Sequence, residues 1–433
     1  MQERIYDFID KNEALAVELE TELTRRPAVS PESGGEGELD KCVFLEGWLR
    51  RRGITRLERY DAPDPRAKGG IRPNLIATIP SLEDRGGGAG VSGTFWIMSH
   101  LDVVPPGELS LWQNDPWTVV VQQEGTAGGS RLIGRGVEDN QQGLCSSVLA
   151  ALALVEQGIN PVRTVKLLFV ADEENGSVYG IDWLIKNQGK TVNGKAIPQF
   201  FRPEDMVLIP DGGDPRGETI EIAEKNLIWA RFVTQGVQAH GSRPDQGVNA
   251  HLAGADLAVR LHYGLSIKFG ERDPLFEPDY STFQPTRKER NVPNINTIPG
   301  EDVFYMDMRI LPRYSTGVVL AEVDRIVAEV EAQYGVSITY TLPQRVESRA
   351  TPVDSPLVTL LSRAARDVYG VDTRPIGIGG GTVGAFLRNA GIPAAVWSRM
   401  ADTAHQPNEY ALTANILGDA KVMALLMIRA GAK

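Results

Sequence analysis

The sequence predicts an α/β protein: a central, mostly parallel sheet flanked by helices, interrupted by an inserted α+β domain. Three observations carry this. Short, nearly continuous apolar runs, the mark of strands buried on both faces, alternate with helical periodicity through the first two hundred residues. The texture then changes, and longer strands with amphipathic helices fill the middle of the chain. The first texture returns before the end, so the larger domain is assembled from both sides of the insert. Read this way, residues 1–222 and 345–433 form the larger domain and 223–344 the insert.

Taken in order, Thr94-Phe-Trp-Ile-Met-Ser99 and Val165-Lys-Leu-Leu-Phe-Val-Ala171 read as buried strands. Between them Leu144, Val148, Leu152 and Val155 recur at helical spacing, predicting a helix with one buried stripe. Val207 to Pro210 is another short strand, and Ala394 to Ser398 repeats the type between helical patterns at 355–369 and 413–430. In the insert, 226–236, 303–311 and 336–342 read as strands, and 248–262 and 317–333 as helices. The Pro- and charge-rich stretch from Glu271 to Pro293 reads as a surface loop, and Gly86 to Gly90 as a glycine-rich loop.

Composition narrows the function. Across 433 residues there are 45 Lys and Arg against 56 Asp and Glu, a net charge of −11. That excess of acid argues against a broad nucleic-acid or anionic-membrane surface. Two cysteines, Cys42 and Cys145, make no disulfide framework, and Cys145 lies in an apolar stretch that suits a small buried hydrophobe. Charged residues such as Glu3, Arg4 and Asp7 occupy the place of a secretory apolar core. The longest apolar run, Val148 to Val155, is far short of the ~20 residues of a membrane span. A soluble, cytoplasmic protein of enzyme size is the expectation.

Polar residues cluster where the apolar strands stop. His100 follows the first, with Asp102 two residues on and therefore on the same face of an extended chain. Asp172-Glu-Glu174 follows the next; consecutive carboxylates there repel one another unless a cation or protons compensate, and a solvated acidic turn is the alternative. Asp139 sits in a glycine-punctuated turn, Asp211 ends a further apolar segment, and His405 lies just beyond another. In an open α/β sheet such positions converge on one crevice. His100, Asp139, Glu174, Asp211 and His405 then form a nitrogen and oxygen donor set suited to zinc, cobalt or manganese. Charge favours two divalent cations over one, because three carboxylates and a hydroxide neutralise two.

As an ensemble, His100-Leu-Asp102, Gly134 to Asn140, Asp172-Glu-Glu174, Asp211, Gly379-Gly-Gly-Thr382 and Ala404-His-Gln-Pro-Asn-Glu409 resemble the signature of a known family. It is the co-catalytic zinc family of acetylornithine deacetylase, succinyl-diaminopimelate desuccinylase, aminoacylase and carboxypeptidase G. The resemblance implies a zinc-peptidase-like catalytic domain carrying two divalent metal ions. Asp139 would bridge them, with His100 and Asp211 completing one site and Glu174 and His405 the other. Glu173 would be the general base and Asp102 the carboxylate supporting His100. A non-proline cis peptide is implied at Asp139–Asn140. The insert becomes a lid and homodimerisation domain, with His240, from Gln235-Gly-Val-Gln-Ala-His-Gly-Ser242, as an oxyanion stabiliser. His251 and His262 read as ordinary surface or packing residues.

The same resemblance makes Asn296 and Arg309 substrate contacts, Arg309 gripping a carboxylate bidentately. For Arg309 the alternative is a strand-end ion pair with Asp307. Gly380, Gly381 and Thr382 can offer backbone N–H groups to that carboxylate, or simply turn the chain from strand to helix. Aspartate at 211, where desuccinylases usually have glutamate, looks more like the aminoacylase and dipeptidase branches. The implied substrate is an N-acyl amino acid, with dipeptidase or carboxypeptidase action on short peptides as the alternative.

Overall fold

The computed structural model describes residues 1–81, 93–123 and 129–431, and the glycine-rich stretch 86–90 lies outside them. The chain forms two compact units, one of residues 1–222, 351–375 and 386–433, the other of residues 223–350 and 376–385. The second unit thus runs on to Ala350 and takes in the Gly379–Thr382 loop, which the sequence pattern had left with the larger domain.

The large sheet has eight strands in the order Leu57–Pro63, Ile71–Ile79, Val165–Val170, Phe95–His100, Met206–Asp214, Ala394–Arg399, Thr219–Glu224 and Arg374–Ile378. Its centre, from Val165–Val170 across to Ala394–Arg399, is parallel. Antiparallel pairs flank that centre. Every residue of Phe95–His100 is buried, which is why the strand reads as an unbroken apolar run and not as an alternating one.

The helix Gly143–Glu156 is buried on all sides from Gly143 to Leu154, so a single buried stripe understates it. Alanines and serines fill its remaining faces; Ser146 donates to the Ile416 carbonyl of the helix Thr413–Arg429 at 3.1 Å. At its start, a Cβ on Gly143 would lie 2.3 Å from the Pro210 carbonyl oxygen. Only glycine lets the helix approach the strand that carries Asp211 this closely. Cys42 and Cys145 are both buried and free. Among the described residues, no helix is long and apolar enough to cross a membrane.

The second unit is a four-stranded antiparallel sheet, in the order Thr282–Lys288, Glu301–Ile310, Asn226–Gln235, Ser337–Val346. Helices Ala250–Lys268 and Thr316–Tyr334 supply the rest of its core. Asn249 and Ser315 cap the first turns of these helices through their side chains. The stretch read as a surface loop contains the strand Thr282–Lys288. Its Pro285 sits at the sheet edge beside a register irregularity, and Phe283 alone anchors it in the core. Phe232 is fully buried and stacks on Phe304 with ring centroids 5.0 Å apart. Replacing Phe232 with alanine should cost about 3–5 kcal/mol, read as a lowered urea midpoint.

Candidate metal centre

The parallel strands deliver the site. His100 is the last residue of Phe95–His100, Asp172 to Glu174 follow Val165–Val170, and Asp211 lies on Met206–Asp214. These three strands are neighbours, so their C-terminal ends open on one crevice, where α/β sheets bind ligands. Asp139 enters from the wide helical turn Val137–Gln142, which begins after Gly136 at φ +85°. The loop after Ala394–Arg399 brings in His405.

Asp139 stands at the centre of the cluster. One carboxylate oxygen is 2.9 Å from His100 Nε2, and the other is 3.0 Å from His405 Nε2. His100 Nε2 also lies 3.4 Å from Asp211, and His405 Nε2 lies 3.1 Å from Glu174. Donor atoms of His100, Asp139 and Asp211 all fall within 4.8 Å of one another, as do those of Asp139, Glu174 and His405. Donors on a tetrahedral zinc are separated by about 3.3 Å, so both groups fit a divalent cation with Asp139 shared between them. All five residues singled out in the sequence therefore meet. The peptide Asp139–Asn140 is cis, at the position the resemblance implied.

Electrostatics agree with a cation site. Burial, with the charges of Asp139 and Glu174, pushes Asp211 up to about 6 despite His100 beside it. Paired with Asp139 and Glu174, His405 is pushed up to about 10. Burial first, then the carboxylates of Asp211, Glu174 and Asp102, hold Glu173 well above the usual carboxylate range. Asp211 and His405 must give up these protons to ligate a metal, so metal binding there releases protons.

Hydrogen bonds around the cluster revise one expectation and add one residue. His100 Nδ1 is 2.9 Å from the backbone carbonyl of Asp102, while the nearer Asp102 carboxylate oxygen is 3.6 Å away, too far for a hydrogen bond. The carbonyl therefore takes the ring's hydrogen bond, while the carboxylate stays within ion-pair reach of it. The Asp102 carboxylate instead accepts the amides of Glu173 and Glu174, at 3.0 and 3.1 Å, and so fixes the turn that carries the base and a ligand. Asn140, missed in the sequence, donates to Asp211 at 2.7 Å and to the Pro210 carbonyl at 2.6 Å.

A family model described as peptidase family M20/M25/M40 matches residues 96–429. The chain belongs to this family. An uncharacterised metallohydrolase of Methanococcus maripaludis is 34% identical over 94% of this chain and 97% of its own length. A succinyl-diaminopimelate desuccinylase of Cereibacter sphaeroides is 30% identical over 92% and 94%. Among solved structures, the aminopeptidase PepT of Bacillus cereus shares the fold, with a TM-score of 0.72 and 19% identity over 98% of this chain and 99% of that one. The protein is thus an M20 metallohydrolase acting on amide C–N bonds.

The second unit of this M20 hydrolase holds the remaining predicted residues in two groups. His240 and Asn296 lie together, because Ala239–His240 pairs with Thr297–Ile298 and Gly241 donates to the Asn296 carbonyl at 2.7 Å. His240 is exposed, and its Nδ1 accepts the Ser242 amide at 3.2 Å. A backbone N–H can only donate, so Nδ1 is the acceptor in this pair and the proton of a neutral ring falls to Nε2. Arg309 forms the ion pair that was the alternative to substrate binding: Nε and Nη2 meet Asp307 at 2.7 and 3.0 Å, and Nη1 donates to the Gly379 carbonyl. All three guanidinium nitrogens thus have partners within this unit.

Thr382 gives its hydroxyl to Glu224 and accepts the Gly384 amide, so the hydroxyl serves the turn into a helix, while Gly380 and Gly381 are exposed. His251 pairs with Asp302, and His262 with the Phe283 carbonyl, as ordinary packing residues do.

Proposed function

We propose that this protein hydrolyses the amide bond of a small N-acyl amino acid, using two divalent cations, zinc foremost. What most supports the reading is Asp139, with one oxygen toward His100 and the other toward His405. When bound, such a pair of cations supplies an acidified water and polarises the amide carbonyl. The residues do the rest. Glu173 takes the proton from the attacking water as the new C–O bond forms. His240 Nε2–H steadies the negative charge that gathers on the former carbonyl oxygen. The C–N bond then breaks, and the proton held by Glu173 leaves on the amine. Arg309 holds the substrate carboxylate by exchanging a present partner, Asp307 or the Gly379 carbonyl, for it.

The second unit serves as lid and as the surface that pairs with another copy of the chain. Leu252, Val259, Tyr263 and Ile267 lie on one face of Ala250–Lys268, and all four are more than half exposed, which supports such a surface. The desuccinylase relative supports an acyl substituent on the substrate, whereas aspartate at position 211 favours a short peptide as the second reading.

Metal analysis and a substrate panel test this. Purified protein should carry two equivalents of metal per chain, and N-acetyl or N-succinyl amino acids should be cleaved faster than dipeptides. One equivalent would overturn the dinuclear reading. Dipeptides cleaved faster would give the function to the second reading.

A further inference from the structure

Two buried glutamates that have no part in the proposed chemistry bind the two halves of the centre to each other. Glu138 precedes Asp139, and its carboxylate reaches the loop that carries His405. One oxygen accepts the amides of Ala401 and Asp402, the latter at 3.1 Å. The other accepts the Thr403 amide and, at 2.7 Å, the Thr403 hydroxyl. Glu409 follows His405, and its carboxylate reaches back the opposite way. One oxygen accepts the amides of Glu138 and Asp139, at 2.9 and 3.0 Å. The other accepts the Gly136 amide at 3.0 Å and Arg135 Nη1 at 2.6 Å. Glu138 is 1% exposed and Glu409 is fully buried.

The exchange is reciprocal, and its chemistry suits a structural clamp. Runs of backbone amides pointing at one carboxylate make charge-assisted bonds, which are among the strongest a loop can form. The His405 loop also needs holding: Asp402, His405 and Asn408 all have φ between +61° and +65°, a region that residues other than glycine adopt at a cost. A loop bent this way keeps its shape only when its surroundings dictate it.

We infer that Glu138 and Glu409 are positioning residues, with Glu138 setting His405 and Glu409 setting Asp139. The inference rests on the dinuclear reading and adds an asymmetry to it. Glu138 governs only the loop of His405, a ligand of one cation. Glu409 governs Asp139, which both cations share. Losing a partner that orients a metal ligand weakens metal binding roughly 10–100-fold.

The test is titration of the metal-stripped full-length protein with Zn²⁺ against a chelating indicator. His405→Ala, titrated alongside, identifies which affinity belongs to the His405 site. Glu138→Gln should weaken that site roughly 10–100-fold and leave the His100–Asp211 site unchanged, whereas Glu409→Gln should weaken both. If Glu138→Gln fails to fold, Thr403→Val removes the hydroxyl that bonds Glu138 and the Tyr410 backbone, leaves the amide contacts of Glu138 in place, and should show the same asymmetry on a smaller scale. A merely structural role lowers thermal stability and shifts both sites alike. Equal effects on the two sites in Glu138→Gln, or unchanged binding in Glu409→Gln, would overturn the clamp while leaving the dinuclear reading in place. A single site in the unaltered protein would overturn both.

Discussion

Glutamine at position 173 should leave metal content and substrate affinity intact while kcat falls by about a thousandfold or more, because the side chain loses the ability to carry a proton. A thousandfold loss corresponds to about 4 kcal/mol of transition-state stabilisation. The change is close to isosteric, and the residue-173 amide still has the Asp102 carboxylate to donate to, so the turn should survive. Glu173 is absent from both ligand groups around Asp139, which is why metal retention separates a lost base from a lost site. Stopped-flow turnover together with metal analysis on one preparation decides the matter. Near-normal turnover would remove Glu173 from its role.

Alanine at position 240 should lower kcat by about 10²–10³-fold, the usual consequence of removing one oxyanion donor. Metal content should not change, because every candidate ligand lies in the first unit and His240 in the second. Ser242→Ala is the control. It removes the hydroxyl 2.8 Å from Nδ1 but keeps the backbone amide that selects the tautomer, so most activity should persist. If His240→Ala raised KM alone, His240 would belong to ground-state binding and not to the chemistry.

Much of this centre was legible in the sequence for one physical reason: strand ends in a parallel sheet face the same way. His100, Glu174 and Asp211 each follow an apolar run, and adjacency of those runs in the sheet places them together. Less legible were residues whose roles depend on where a side chain turns. Asp102 shares a face with His100 in an extended chain, yet its carboxylate goes to the amides of Glu173 and Glu174 and its carbonyl to the imidazole. Neither spacing nor residue type could separate those outcomes. Glu138 and Glu409 carried a faint signal: one sits beside the ligand Asp139, the other four residues after the ligand His405. The strand Thr282–Lys288 was hidden because an edge strand with one buried aromatic and a proline shows no alternation.

The order in which the ligands occur along the chain has a consequence for biosynthesis. His100, Asp139, Glu174 and Asp211 all precede the second unit, and His405 follows it. A growing polypeptide halted partway through that unit already contains one whole donor group, whereas the other still lacks its imidazole. Translation must pass through the entire intervening unit before the centre can close, so premature termination there leaves a fragment that cannot assemble the pair.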